Sequence, residues 1–300
     1  MKKILVIGGT GFLGHHICKR LLKRKNFLVH SLSLNKPTQK KKLKKIKYYK
    51  QNLLEKIFKI NLRNKNYDFI INASGYSGNL PSYSNNKNIN ATHFAIIKNI
   101  LNNINTKKAV KLIHLGSSSE YGEKKSPLKE TLKCKPKNMY GKSKLACTKY
   151  ILNFKDKNFK YVILRLFQVY GAFQMKDKLI PYIIEKCKKD LEFNVSSGNQ
   201  IRDYLHVDDL AIAIEKAITI KKAENKIINL GSGNLISVKK IIKIICNIIK
   251  KGKPNYGALK INPGESLKIY PNIHKAKSHL NWSSKIKFKN GIKQIIQNQN

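Results

Sequence analysis

The run Ile4-Leu5-Val6-Ile7-Gly8-Gly9-Thr10-Gly11-Phe12-Leu13-Gly14 decides how the rest of the chain is read. Four consecutive apolar residues, Ile4 to Ile7, read as a strand buried on both faces. Glycines at 8, 11 and 14 suit a tight turn, a close approach of backbone to a diphosphate, and close packing of helix on strand. The helical pattern from Leu13 to Arg24 would then offer N–H groups and a positive dipole end to the phosphates. Strand, glycine turn and helix in that order read as a dinucleotide site, with Gly8, Gly11, Phe12, Leu13 and Gly14 as its candidate residues.

Outward from this unit, strand-like runs at Phe27–Leu32, Phe69–Ala73, Leu112–Leu115, Val162–Phe167 and Ile227–Leu230 alternate with helical patterns near Asn90–Asn103, Ser143–Phe154 and Asp208–Ile220. Apolar strands separated by helices predict right-handed βαβ crossovers and a doubly wound parallel sheet of the Rossmann type, an α/β fold. From about Ile236 the pattern turns helical and irregular, with Pro254, Pro263 and Pro271 in loops, which predicts a smaller C-terminal lobe. The expected division is a dinucleotide-binding domain over 1–172 and 200–233, with a substrate lobe over 173–199 and 234–300. There is no internal repeat. Lys36–Lys50, in which eight of fifteen residues are lysine, reads as a low-complexity patch.

With 300 residues, 41% of them hydrophobic, the chain can build a core without disulfide or metal and is not a disordered tail. Sixty-one Lys and Arg against 16 Asp and Glu leave a formal charge of +45. Such a chain adsorbs to polyanions at low salt. Lysine, asparagine and isoleucine are spread along its whole length, however, as compositional drift of the coding sequence would leave them, so no specific nucleic-acid partner is expected. Cys18, Cys134, Cys147, Cys187 and Cys246 show neither a CxxC pair nor regular spacing, which argues for reduced thiols and against a zinc site. The apolar start ends at Gly8, and no stretch reaches the roughly 18 apolar residues of a membrane span. A cytoplasmic protein is expected.

Two further features bear on chemistry. The usual Asp or Glu that holds the ribose hydroxyls about 20 residues past the glycines is missing: His30-Ser31-Leu32-Ser33-Leu34-Asn35-Lys36 stands there, and no acid precedes Glu55. Ser33, Asn35 and Lys36 could take the 2′-phosphate of NADP(H), which is favoured, with NAD(H) as the other option. Second, Ser117-Ser118-Ser119-Glu120-Tyr121-Gly122 follows a strand, and Tyr140-Gly141-Lys142-Ser143-Lys144 opens a helix. Tyr140 and Lys144 lie on one helix face. An ammonium beside a phenol favours its phenolate, so the pair can exchange a proton with a sugar hydroxyl or ketone while hydride moves at a nicotinamide.

In these motifs the chain resembles an extended short-chain dehydrogenase/reductase of the NAD-dependent epimerase/dehydratase family, which acts on nucleotide-activated sugars. The likeness extends through Asn72-Ala73, beside the cofactor in the family, and through Ile89-Asn90-Ala91-Thr92, similar to an Asn-Val-x-Gly-Thr helix start. Arg165 to Gly171 resembles the family's Arg-Leu-x-Asn-Val-Tyr-Gly strand. Gly198 to Asp209 is similar to its Gly-x-Gln-x-Arg-Asp-Phe-x-x-Val-Asp-Asp box, and Ile228 to Gly233 to the Asn-x-Gly-x-Gly element that follows. The resemblance implies Tyr140 as acid/base, Lys144 as its activator and ribose ligand, and Ser118, chosen over Ser117 by counting from the strand end, as the hydroxyl partner. It implies Gln168, Arg202 and Asn262 as contacts to a nucleotide-diphosphate sugar. Gln168 replaces the family's Asn, and Asn262 replaces an arginine that grips the diphosphate, with Lys260 nearby as a point charge.

The resemblance implies an oxidoreductase of nucleotide hexoses, expected as a homodimer, with reduction of a 4-keto sugar as the leading reading and 4-epimerisation as the alternative. A different class, an idle RNA-associated or redox-sensing binder, fits poorly with the presence of Ser118, Tyr140 and Lys144 together. Glu120 reads either as a partner in eliminating water or as a structural carboxylate. Asp203, Asp208 and Asp209 read as positioning and capping groups, and His15, His16 and His206 have no metal-ligand spacing.

Overall fold

The structure is a computed structural model that describes residues 1–56, 58, 62–75, 87–105, 110–261 and 266–297. The chain runs β1 (Lys2–Ile7), α1 (Phe12–Leu21), β2 (Phe27–Ser33), β3 (Lys47–Lys50), α2 (Leu62–Lys65), β4 (Phe69–Asn72), α3 (Lys87–Asn103), β5 (Val110–Ser117), α4 (Met139–Asn153) and β6 (Phe159–Leu166). It continues through β7 (Gln168–Tyr170), α5 (Leu179–Lys188), β8 (Glu192–Val195), β9 (Ile201–His206), α6 (Val207–Thr219) and β10 (Lys226–Leu230). Last come β11 (Leu235–Ser237), α7 (Val238–Ile249), β12 (Lys253–Tyr256), β13 (Lys268–Ile269), α8 (His274–Leu280) and α9 (Phe288–Gln297).

Seven parallel strands form the main sheet in the order β10-β6-β5-β4-β1-β2-β3. Period-two alternation sends neighbouring side chains to opposite faces. Ile4 and Val6 of β1 join Ile17, Leu210 and Ile214 from α1 and α6. Leu5 and Ile7 join Ile97, Ile100 and Ile151 from α3 and α4. With both faces covered, the strands read as unbroken apolar runs, which is why the α/β doubly wound expectation holds. A third cluster packs α5, α7 and α9 through Ile183, Ile184, Ile241, Ile245 and Ile292. Ala276, Leu280 and Trp282, late in the chain, return to the core of the main sheet beside α6.

One strand lies where the sequence suggested only a lysine-rich patch. β3 is the edge of the main sheet, with Lys47 opposite His30 and Lys50 opposite Ser33. Its lysines are exposed while Tyr48 and Tyr49 are half-buried. Charged side chains on an edge strand oppose pairing with another chain, so the lysine density there also has a structural use.

Buried polar groups tie the far half of the sheet together. Glu120, fully buried in the 3-10 turn Ser118–Tyr121, accepts from Arg165 Nε of β6 at 2.9 Å, Thr148 Oγ1 of α4 at 2.9 Å and the Ser117 N–H at 2.8 Å. The Arg165 guanidinium stacks over Tyr121 at 4.5 Å, and the Tyr121 hydroxyl donates to Asn229 Oδ1 of β10 at 2.7 Å. Glu120 is thus a structural carboxylate whose lone pairs are engaged within the fold.

Replacing Arg165 with Met leaves that carboxylate buried without its cation, and the expected loss of stability is about 3–5 kcal/mol in a denaturant titration. A second expectation concerns pH. Burial, and then the neighbouring His16, lower the pKa of His15 from 6.5 to about 4. The unfolded chain therefore takes up a proton that the folded chain refuses between those values, so stability falls as pH drops through that window. In His15→Gln the fall between pH 7 and pH 4 is expected to be smaller.

Candidate active site

The chain leaves β1 for β2 and β3 on one side, then crosses to β4 and β5 on the other. In an open parallel sheet the crevice beyond the strand ends at such a reversal is where ligands bind. Gly8 follows β1 at φ +79°, and a Cβ on it would stand 2.8 Å from the Ala73 carbonyl oxygen. A Cβ on Gly14 would overlap the carbonyl oxygen of Gly8. Helix and turn can approach this closely only with glycine at both places.

Gly11 is the N-cap of α1 and no side chain caps it. Phe12 and Leu13 form the half-buried first turn. Uncapped first-turn amides beside a turn without side-chain bulk fit the diphosphate of a dinucleotide. Ser33 ends β2, is buried, and accepts a hydrogen bond from the Thr10 N–H at 3.3 Å. Asn35 and Lys36 lie beyond it, exposed.

Asn72 closes β4. Its Oδ1 accepts from the Ser74 N–H at 3.1 Å and Ser74 Oγ at 2.5 Å, so its amide nitrogen is the end that donates to His114 Nδ1, 3.1 Å away. His114 on β5 is buried, and that burial, followed by the neighbouring Lys144 and His93, holds its pKa well below the usual value. Ala73 bonds its N–H to the Ile7 carbonyl oxygen at 2.9 Å, keeping this segment against the glycine turn.

At the end of β5, Ser117 caps the 118–121 turn: its Oγ accepts from the Ser119 N–H at 3.1 Å. Ser118 is half-buried, and among the described residues its hydroxyl has no hydrogen-bond partner. The two serines therefore differ: Ser117 is committed to the turn, and the Ser118 hydroxyl is left uncommitted among the described residues. α4 begins at the cap Asn138, whose Oδ1 accepts from the Gly141 N–H at 2.7 Å. A Cβ on Gly141 would overlap the Ser119 carbonyl oxygen, so glycine there lets Tyr140 close onto the serine turn. One helical turn on, Lys144 is buried and donates to the Leu115 carbonyl oxygen of β5 at 2.6 Å. The fold thus gathers Ser118, Tyr140 and Lys144 at the carboxyl end of β5, across from the glycine turn.

Gln168 opens β7 directly after β6 and is exposed. Arg202, in the middle of a small sheet with β11 and β13, is buried and donates from Nη1 to the carbonyl oxygens of Ile201 at 2.9 Å and Leu267 at 3.1 Å. Asn262 lies outside the described residues, as do the side chains of Ile89, Asn90 and Ala91. Asp203 accepts from the N–H groups of Ser232 at 2.5 Å and Gly233 at 2.8 Å. Asp209 accepts from Ser284 Oγ at 2.7 Å and from two backbone N–H groups, while Asp208 accepts from His16 Nδ1 of α1 at 2.9 Å. These carboxylates hold loops, and among the described residues no group of three or more His, Cys, Asp or Glu could bind a metal ion. No helix among them is long and apolar enough to cross a membrane.

His93 and His114 were not singled out from the sequence, although both lie at the site. For His93 a signal existed: it occupies the apolar face of α3 at the spacing of Ile97 and Ile100. A histidine on such a face is usually a core residue, and only the packing of α3 against α4 distinguishes it.

Comparison with known proteins agrees with this arrangement. Residues 4–231 match the model of the NAD dependent epimerase/dehydratase family. The chain is 27% identical over 304 residues to an uncharacterized UDP-glucose epimerase of Bacillus subtilis, covering 97% of this chain and 95% of that protein. It is also 27% identical over 320 residues to a UDP-glucose 4-epimerase of the same organism, covering 94% and 92%. Among solved structures, a UDP-glucuronic acid 4-epimerase of Bacillus cereus in complex with UDP-glucuronic acid and NAD matches with a TM-score of 0.85 at 25% identity, over 99% of this chain and 100% of that one. A UDP-glucose 4-epimerase of Thermotoga maritima, at TM-score 0.86 and 23% identity over 98% and 97% of the two chains, shares the fold. Because the family model runs from the first strand of the main sheet to the last, this chain is an enzyme that belongs to the NAD-dependent epimerase/dehydratase family.

Proposed function

We propose that the enzyme is a 4-epimerase of a nucleotide-diphosphate hexose. The observation that supports this most is the meeting of an uncommitted Ser118 hydroxyl, the Tyr140 phenol and the buried Lys144 ammonium at the end of β5, opposite the uncapped start of α1. Relatives named for 4-epimerisation of UDP-sugars support the substrate class. The glycine turn and Lys144 would hold a nicotinamide dinucleotide, which would take up the hydride and give it back. Tyr140 removes the proton of the 4-hydroxyl as C4 gives up its hydride, and returns the proton once the hydride has come back on the opposite face. Ser118 donates a hydrogen bond to the same sugar oxygen. Lys144, steadied by Leu115, keeps positive charge beside the phenolate.

One observation favours a second reading. β2 ends in Ser33 with no carboxylate nearby, and Asn35 and Lys36 are exposed beyond it, an arrangement that suits the 2′-phosphate of NADP and a reductase of 4-keto sugars. The two readings part in one assay. An epimerase interconverts UDP-glucose or UDP-glucuronic acid with its 4-epimer at constant absorbance of the reduced nicotinamide. A reductase consumes one NADPH for each 4-keto sugar and leaves the UDP-sugars untouched.

Tyr140→Phe is expected to lower turnover about 10²-fold or more while dinucleotide affinity stays near that of the unaltered enzyme, measured by steady-state kinetics and calorimetry. Near-normal turnover would remove Tyr140 from the mechanism. Ser33→Asp is expected to shift the balance of affinities toward NAD(H) by about 1–3 kcal/mol, since a carboxylate accepts from ribose and repels phosphate. Unchanged relative affinities would show that the end of β2 does not read the ribose.

A further inference from the structure

A residue outside α4, His93, contacts Tyr140 both directly and through Ser143. His93 projects from α3 between α4 and the segment after β4, and is buried. Its ring meets the Tyr140 ring edge to face, with centroids 5.8 Å apart at 77°. Its Nδ1 lies 2.8 Å from Ser143 Oγ, and Ser143 Oγ donates to the Tyr140 carbonyl oxygen, also at 2.8 Å. A Cβ built on Gly75 would stand 3.4 Å from His93 Nε2 and 3.9 Å from Lys144 Nζ, so the imidazole and the ammonium border the same spot. Ionisable neighbours thus face His93 from α4, as Tyr140 and Lys144, and from β5, as His114.

The hydrogen count at Ser143 places a proton on the Nδ1 of the ring. A serine hydroxyl has one proton, and here it is given to the Tyr140 carbonyl, as serine does when it bonds back one helical turn. Its oxygen can then only accept from His93, which requires the proton on Nδ1 and, in the neutral ring, a lone pair on Nε2. His114 has the opposite arrangement, because its Nδ1 accepts from the Asn72 amide.

We infer that His93 is a positioning residue: through the His93–Ser143–Tyr140 chain and the ring contact it sets the attitude of the Tyr140 phenol toward the sugar oxygen. The inference rests on the proton-transfer role proposed for Tyr140. A strut of this kind acts on the reacting geometry and leaves nucleotide-sugar binding alone. Loss of the Nδ1 donor should therefore lower kcat with little change in KM, as small misplacements of a reacting group do.

Two measurements test it. In the full chain without substrate, nitrogen NMR of labelled histidine is expected to show His93 in the Nδ1–H tautomer, with the Nε2–H form appearing in Ser143→Ala; an Nε2–H ring in the unaltered protein overturns the inference. In turnover, His93→Phe keeps the ring but loses the donor, and kcat is expected to fall about tenfold or more at near-constant KM. His93→Asn, whose amide can donate from nearly the same place, should recover most of that loss. Equal impairment of the two variants, or a change confined to KM, overturns the inference. If the unaltered enzyme turns over no nucleotide sugar, the function proposed above fails by itself, and the tautomer still decides the strut.

Discussion

The buried bond from Lys144 to the Leu115 carbonyl oxygen is the contact on which the active-site geometry depends. Moving an ammonium out of water is costly unless strong acceptors replace the lost solvation. Here the acceptor is main chain of β5 in the central sheet, so the helix carrying the lysine is registered against that strand. Everything else on α4 inherits that register. Tyr140 stands one turn before Lys144, Gly141 presses on the serine turn, and Ser143 faces α3. The serine turn is held independently, from below, by Glu120 and its buried arginine. Two supports, one in the sheet and one in the buried ion pair, thus meet where α4 lies against the serine turn.

The same economy appears on the other side of the crevice. Gly8 and Gly14 let α1 lie directly on the turn after β1, which keeps the uncapped helix start close to the strand ends. His16 strengthens this placement by bridging Asp208 of α6 and the Ala172 carbonyl oxygen, so α1 is fixed to both α6 and the loop after β7. The glycine turn and α4, which carries Tyr140 and Lys144, are far apart in sequence, and the sheet brings them face to face at its point of reversal.

The charge of +45 finds partial explanation in this fold. Many lysines lie on exposed helix faces, where their charge has little energetic consequence. Some have defined places: Lys47 and Lys50 guard the edge strand, Lys111 is buried against Glu224 and the Ile218 carbonyl oxygen, and Lys144 serves the site. The basic balance therefore does not by itself indicate a polyanion partner.

The βαβ order, the glycine turn and the Tyr140-to-Lys144 spacing are local patterns, legible in the sequence because turn sterics and helical periodicity act over a few residues. What escaped it depended on contacts between distant segments. β3 hides in a lysine run because an edge strand needs only one apolar neighbour row. Whether Ser117 or Ser118 has a hydroxyl left for a ligand depends on which of them caps the turn, and the standing of Glu120 on an arginine 45 residues later. His93 looks like any histidine on an apolar helix face until α3 is laid against α4. Sequence determined the class of the molecule and pointed to the groups proposed to react; the tertiary structure alone decided which polar groups are spent on holding the fold and which are left without a partner in it, because hydrogen-bond partners are assigned in space.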